Sequence, residues 1–113
     1  MRHLLIVLSV ALIGCGGSDA PATTQPPAGT EAEVFTPGNT FSPFSTVIAL
    51  GATVKFNITG VPHNAIFART PPGAPADINI VSNTVVSRTF STRGTFKYDC
   101  TIHPGMAGQV VVQ

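Results

Sequence analysis

Polar and apolar positions between residues 33 and 113 keep no helical period. They fall into short runs divided by Pro, Gly and Asn, which predicts an all-β domain. Val34-Phe35 predicts a first edge strand, stopped by Thr36-Pro37-Gly38-Asn39, and residues 46–50 predict a second. After Gly51 the chain alternates: Val54, Phe56 and Ile58 fall on one face, and Thr53, Lys55, Asn57 and Thr59 on the other. That is the pattern of a half-buried strand. Residues 64–69 predict another strand. The proline-rich stretch 70–75 must lie outside any sheet, because proline cannot donate to a ladder. A weak strand near residues 78–81 precedes stronger ones at 85–90 and 95–100, and residues 109–112 close the domain. About eight such strands predict a sandwich or barrel with no internal repeat.

The first 32 residues read differently. Met1-Arg2-His3 is a short positive start, and residues 4–13 are an unbroken run of apolar or small side chains. That run is too short to span a bilayer and has the length of a signal-peptide core. It ends in Leu12-Ile13-Gly14-Cys15, which resembles the bacterial lipobox. The resemblance implies a signal peptide over residues 1–14, cleavage before Cys15, and lipidation of that cysteine. Several acyl chains on one residue would anchor the chain stably. The chain is then expected to be exported and lipid-anchored to a bacterial membrane, facing the periplasm or the cell exterior. An ordinary secretory signal with a chance cysteine is the competing reading. Residues 15–32 hold no large apolar side chain. They cannot bury enough surface to order themselves and read as a flexible tether, leaving residues 33–113 as the domain.

Charge removes some function classes. Beyond Arg2, five cations (Lys55, Arg69, Arg88, Arg93 and Lys97) face five anions (Asp19, Glu31, Glu33, Asp77 and Asp99). There is no basic run, so nucleic acid is not an expected partner. Of the two cysteines only Cys100 lies in the domain; a Cys15–Cys100 disulfide would tie down the tether and consume the thiol.

The candidate chemistry sits in Tyr98-Asp99-Cys100-Thr101-Ile102-His103-Pro104-Gly105-Met106. Strand parity puts Phe96, Tyr98 and Cys100 on one face and Lys97 and Asp99 on the other. A buried cysteine is most often only a small apolar residue. Here an imidazole and a thioether follow it at three-residue intervals, a soft ligand set suited to copper. His3 lies in the leader, so His63 is the one histidine left to complete the set. A lone histidine at a strand start is more often a surface residue than a ligand, but Pro62 stiffens the approach to this one. Cys100, His103 and His63, with Met106 as a weak axial ligand, would make the trigonal set of a blue-copper centre. Asn64 would hydrogen-bond between the two ligand-bearing loops and toward the cysteine sulfur, or else serve as a turn residue.

Pro62-His63-Asn64 followed by Cys100-x-x-His103-x-x-Met106 resembles the plastocyanin, pseudoazurin and amicyanin group of cupredoxins. Phe41-x-Pro43, Gly51-x-Thr53-Val54-x-Phe56 and the closing Gly108-Gln109-Val110-Val111-Val112 resemble the same family. The resemblance implies a Greek-key β-sandwich with one type 1 copper ion at one end. It implies His63, Cys100, His103 and Met106 as ligands and Asn64 as the residue that pins their loops. Two residues between His103 and Met106 match the amicyanin length; plastocyanins carry a longer loop. Asp99 beside the ligand cysteine is a departure that adds a negative charge to the outer face.

The function expected is one-electron transfer by a monomeric carrier, docking donor and acceptor proteins transiently near His103. Enzyme chemistry is not expected: no further histidines exist for a second, substrate-binding metal, and no nucleophile has a spare base. The alternative is a module that stores or delivers copper.

Overall fold

The computed structural model describes residues 29–113 and holds seven strands, with no helix among the described residues. They are β1 (Gly29–Phe35), β2 (Ser45–Ile58), β3 (His63–Phe67), β4 (Ile78–Val81), β5 (Thr84–Thr89), β6 (Gly94–Asp99) and β7 (Ala107–Val112). The expected count was about eight. It falls to seven because the two runs on either side of Gly51 form one strand. Gly51, at φ +84°, turns the chain without ending it, as glycine can and a residue with a Cβ rarely does.

That bend makes β2 the hinge of a two-layer sandwich. Its first part, Ser45 to Ile48, pairs in parallel with β7, and that layer continues through β6 and β3 to β4. Its second part, Thr53 to Ile58, lies between parallel β1 and antiparallel β5. The Gly51 N–H donates to the Phe90 carbonyl, and the Phe90 N–H donates to the Ala52 carbonyl, so the corner is itself hydrogen-bonded.

The alternation read in the sequence decides what the layers bury. Val54, Phe56 and Ile58 are fully buried, as are Phe96 and Tyr98 from the facing layer, while Lys97 and Asp99 point to solvent. Phe56 meets Tyr98 edge-on at 5.3 Å between centroids, and Phe41 meets Tyr98 at 4.8 Å. Each such ring adds to the roughly 1.5–3 kcal/mol of its own burial. Gly108 lies directly opposite Tyr98 across the β6–β7 ladder. A Cβ on Gly108 would come within 2.5 Å of the Tyr98 ring, so only glycine leaves space for this core.

The first strand starts at Gly29, four residues before the expected domain boundary at Glu33. Its early residues are exposed at a sheet edge and Glu31 pairs with Lys55. An exposed edge carries no hydrophobic alternation, so the sequence does not announce it. The loop from 70 to 75 lies outside the sheet as expected.

Candidate metal centre

One pole of the sandwich gathers the four predicted ligands. His63 is the first residue of β3 and is fully buried. Cys100 follows the last residue of β6 and is 4% exposed, its side chain continuing the inward face of Phe96 and Tyr98. His103 is half-buried, and Met106 is buried just before β7 begins.

The segment from Cys100 to Met106 is closed on itself. The Cys100 N–H donates to the Met106 carbonyl at 2.9 Å, and the Met106 N–H donates to the His103 carbonyl at 3.1 Å. The inner turn has Pro104 in its second position and Gly105, at φ +83°, in its third. That is the type II pattern, in which proline presets one angle and glycine supplies the positive φ. Seven residues thus bring a thiol and an imidazole together, with the buried Met106 tied to both by backbone hydrogen bonds.

Asn64 joins this loop to β3. Its Nδ2 donates to Thr101 Oγ1 at 2.7 Å, and its Oδ1 accepts from the Thr101 N–H at 2.8 Å. Both bonds go to Thr101, one residue past the cysteine, rather than to the sulfur. Asn64 is buried although strand parity turns it away from His63, because those two bonds satisfy its amide.

The donor atoms converge. His63 Nδ1 and His103 Nδ1 are 3.0 Å apart, and Cys100 Sγ lies 3.5 Å from His103 Nδ1 and 3.9 Å from His63 Nδ1. A point equidistant from all three lies about 2.0 Å from each, which is a metal–nitrogen bond length rather than a hydrogen-bond length. These three residues form a metal-competent group with all ligand atoms within 4.8 Å of one another. The rings of His63 and His103 are tilted by 59° with centroids 4.7 Å apart, so they do not stack and both nitrogens stay turned inward. Burial, and then the neighbouring His103, hold His63 below its usual pKa, against a weaker opposing influence of the Gly38 backbone. A neutral ring keeps a lone pair free for a metal. Two nitrogens and one thiol sulfur, with the Met106 thioether buried at the same pole, are the donor set that suits copper.

The four loops at this pole, residues 36–44, 59–62, 82–83 and 100–106, carry no Asp, Glu, Lys or Arg. Phe44, Val61 and Ile102 are exposed there. A cleft of about 270 Å³ opens beside Met106, between Phe44 and Gly105. Cys15, the predicted lipidation site, lies outside the described residues. Sequence reasoning gave no role to Thr101 and no packing role to Gly108, since their partners are 37 residues away in one case and across a ladder in the other.

Comparison with known proteins places this geometry. The profile of copper-binding proteins of the plastocyanin/azurin family matches residues 30–113. Amicyanin-alpha of Methylorubrum extorquens is 39% identical over 70 residues, covering 58% of this chain and 58% of that protein. The chain therefore spans less than two thirds of that relative's length. Among solved structures, a reduced Cu(I) form of an amicyanin variant superposes with a TM-score of 0.66 at 28% identity, covering 76% of this chain and 85% of the other. A Cu-containing nitrite reductase from Thermus scotoductus superposes at 0.68 with 26% identity, covering 74% of this chain but 22% of the enzyme.

Proposed function

The chain belongs to the plastocyanin/azurin family of copper-binding proteins, and from that premise we propose that it is a one-electron carrier using a single type 1 copper held by His63, Cys100, His103 and Met106. The convergence of two imidazole nitrogens and one thiol sulfur on a point of metal-bond radius carries this reading. Copper bound there supplies a one-electron redox couple. The protein's part is to hold the ligands nearly still, so that little reorganisation accompanies a change of charge. His63 is fixed by a buried strand, Cys100 by the ladder end and the Asn64–Thr101 pair, and His103 by the turn beneath it. His103 is the ligand that reaches the surface, and we assign it as the point where electrons enter and leave.

The nitrite reductase likeness extends to about a fifth of that enzyme, and we read this chain as a carrier rather than an enzyme. The sequence has three histidines in all. After His63 and His103 only His3, in the leader, remains, too few to hold a second metal where a substrate would bind. The uncharged loops around His103 suit brief docking of a donor or acceptor protein with a small interface. We further propose export, a lipid anchor on Cys15, a tether ahead of the domain, and a monomeric state.

Storage or delivery of copper is the second reading, since the same ligands would serve it. Adding Cu(II) to residues 18–113 and recording the visible spectrum tests the first. Intense colour that bleaches with ascorbate and returns with an oxidant, with no metal lost to a chelator, is the expected result. A colourless protein removes the blue-copper reading. Ready loss of Cu(I) to the chelator moves the assignment to delivery.

A further inference from the structure

The strand registers fix where the tether meets the domain. Gly29 lies opposite Ile48, Ile48 opposite Val112, and Val112 opposite Gly94. Gln113 is there too, its carbonyl accepting from the Leu50 N–H. From Gly94 the chain runs along all of β6 before it reaches Cys100, about 20 Å at strand rise. From Gly29, β1 runs toward the same far pole, ending at Phe35 opposite Asn57. The chain therefore enters the sandwich at the pole opposite the metal centre.

Cys15 is fourteen residues before Gly29. A chain of that length reaches at most about 50 Å, and as a random coil averages about 20 Å. Upright, the domain needs almost none of that reach. Inverted, so that the metal pole meets the bilayer, Gly29 is lifted by the length of β6 and the loops beyond it, roughly 30 Å, which is more than the mean span a flexible chain of fourteen residues would have. The loops of the metal pole also carry no Lys or Arg to draw them to anionic headgroups, and such attraction comes from those side chains.

We propose that the anchored chain presents its metal pole away from the bilayer, and that the partner docking on this uncharged face is a water-soluble protein with an uncharged, apolar contact surface. A membrane-embedded partner whose redox group lies near the headgroups would meet the wrong end of the domain. This rests on the lipid anchor at Cys15 proposed above.

Two measurements on the lipidated full chain in phosphatidylcholine vesicles test it. The first uses a Cys100→Ser background with one dye placed at Arg93→Cys, beside the tether pole, or at Asn39→Cys, beside the metal pole; both positions are exposed. Energy transfer to headgroup acceptors should be at least about twofold more efficient from position 93. Equal or reversed transfer overturns the orientation. The second keeps Cys100 and copper, and follows one electron passing from a ruthenium(II) ammine probe to the oxidised site, leaving ruthenium(III). The probe is either free in solution or coupled to a lipid headgroup. Repeating residues 16–28 once, to double the tether, should speed reduction by the lipid-coupled probe about fivefold and leave the free probe unchanged. A fall with the lipid-coupled probe means that the metal pole already lay at the bilayer, and overturns the proposal. The mass of the Cys15 peptide and sedimentation with vesicles report the anchor separately. An unacylated, unbound chain overturns the anchor reading and this proposal with it, whereas a bound chain with the opposite transfer pattern overturns the orientation alone.

Discussion

Two unlike segments hold the metal centre. His63 begins a strand whose residues are buried at four of five positions, and its surroundings are the sandwich core. Cys100, His103 and Met106 come from one closed loop in which Thr101, Ile102, Pro104 and Gly105 are exposed. The strand side is fixed by packing from both layers. The loop side is fixed by two internal hydrogen bonds, one proline–glycine turn and the pair of bonds from Asn64. The difference shows where rigidity has to be built from few contacts. A core ligand takes its position from the fold, while a loop ligand must have its position supplied by particular bonds.

The comparison breaks most completely at Cys100. Cys100→Ser keeps the size of the side chain and the β6 ladder while removing the thiolate. The intense visible absorption should vanish, and copper should bind more than about 100-fold more weakly, beyond the effect typical of residues that only support a ligand. A copper titration followed by absorbance checks both. An unchanged blue colour would show that the sulfur is not a ligand.

A second break comes from beneath the loop side. Gly108→Ala forces a Cβ to within 2.5 Å of the Tyr98 ring, two residues from Cys100. The ring cannot retreat, because Phe41, Phe56 and Phe67 surround it. Overpacking of this kind costs about 3 kcal/mol, read as a lower denaturant midpoint at unchanged slope. Where copper still binds, the spectrum should shift, since the strand that carries Cys100 must move with Tyr98. Normal stability and an unmoved spectrum would mean that the ladder absorbs the strain locally.

Asn64→Ala sharpens the contrast by cutting the bonds between the two segments while sparing all four ligands. It leaves the Thr101 N–H and hydroxyl without their partner. The expected cost is about 2 kcal/mol, with a 10–100-fold loss in copper affinity. Thr101→Val removes only the hydroxyl's part and should cost about half as much. A double-mutant cycle should give a coupling near the Thr101→Val value, since the two residues touch. Additive effects would show that Asn64 acts on the site by another route.

These contacts also mark how far the sequence could be read. Parity along residues 53–59 and along Phe96–Tyr98–Cys100 is local, so the buried faces and the inward cysteine were legible. The Cys-x-x-His-x-x-Met spacing is local too, and it carried the loop side of the site. What could not be read was either long-range or ambiguous. Gly51 has the look of a strand stop, and only the hydrogen bonds that Gly51 and Ala52 make with Phe90 show that the chain bends through it. Asn64 was expected to serve both loops, yet its partner depends on where Thr101 arrives in space. The exposed start of β1 has no apolar period to detect. Gly108 looks like any glycine until the ring opposite it is seen.

The smallest effect expected concerns how a partner meets the loop side. Every loop at the metal pole lacks an ionised side chain, and the charges that exist are spread over the body of the sandwich, with Glu31 beside Lys55 and Arg69 bonded to Asp77 at 2.6 Å. Electrostatic steering acts through long-range fields that salt screens within about 10 Å at 0.1 M. With no such field at the docking face, electron exchange with a protein partner should change by no more than about twofold as salt is raised from low to high. Stopped-flow reduction across an ionic-strength series measures it directly. Asp99 is the one ionised residue adjoining a ligand, and it points outward from β6. If salt altered the rate well beyond twofold and Asp99→Asn removed that dependence, partners would be docking on the flank of β6 beside the cysteine. The half-buried ring of His103 would then be the lesser of two ports, and the division into a packed ligand and a contacting loop would have to be redrawn around Cys100.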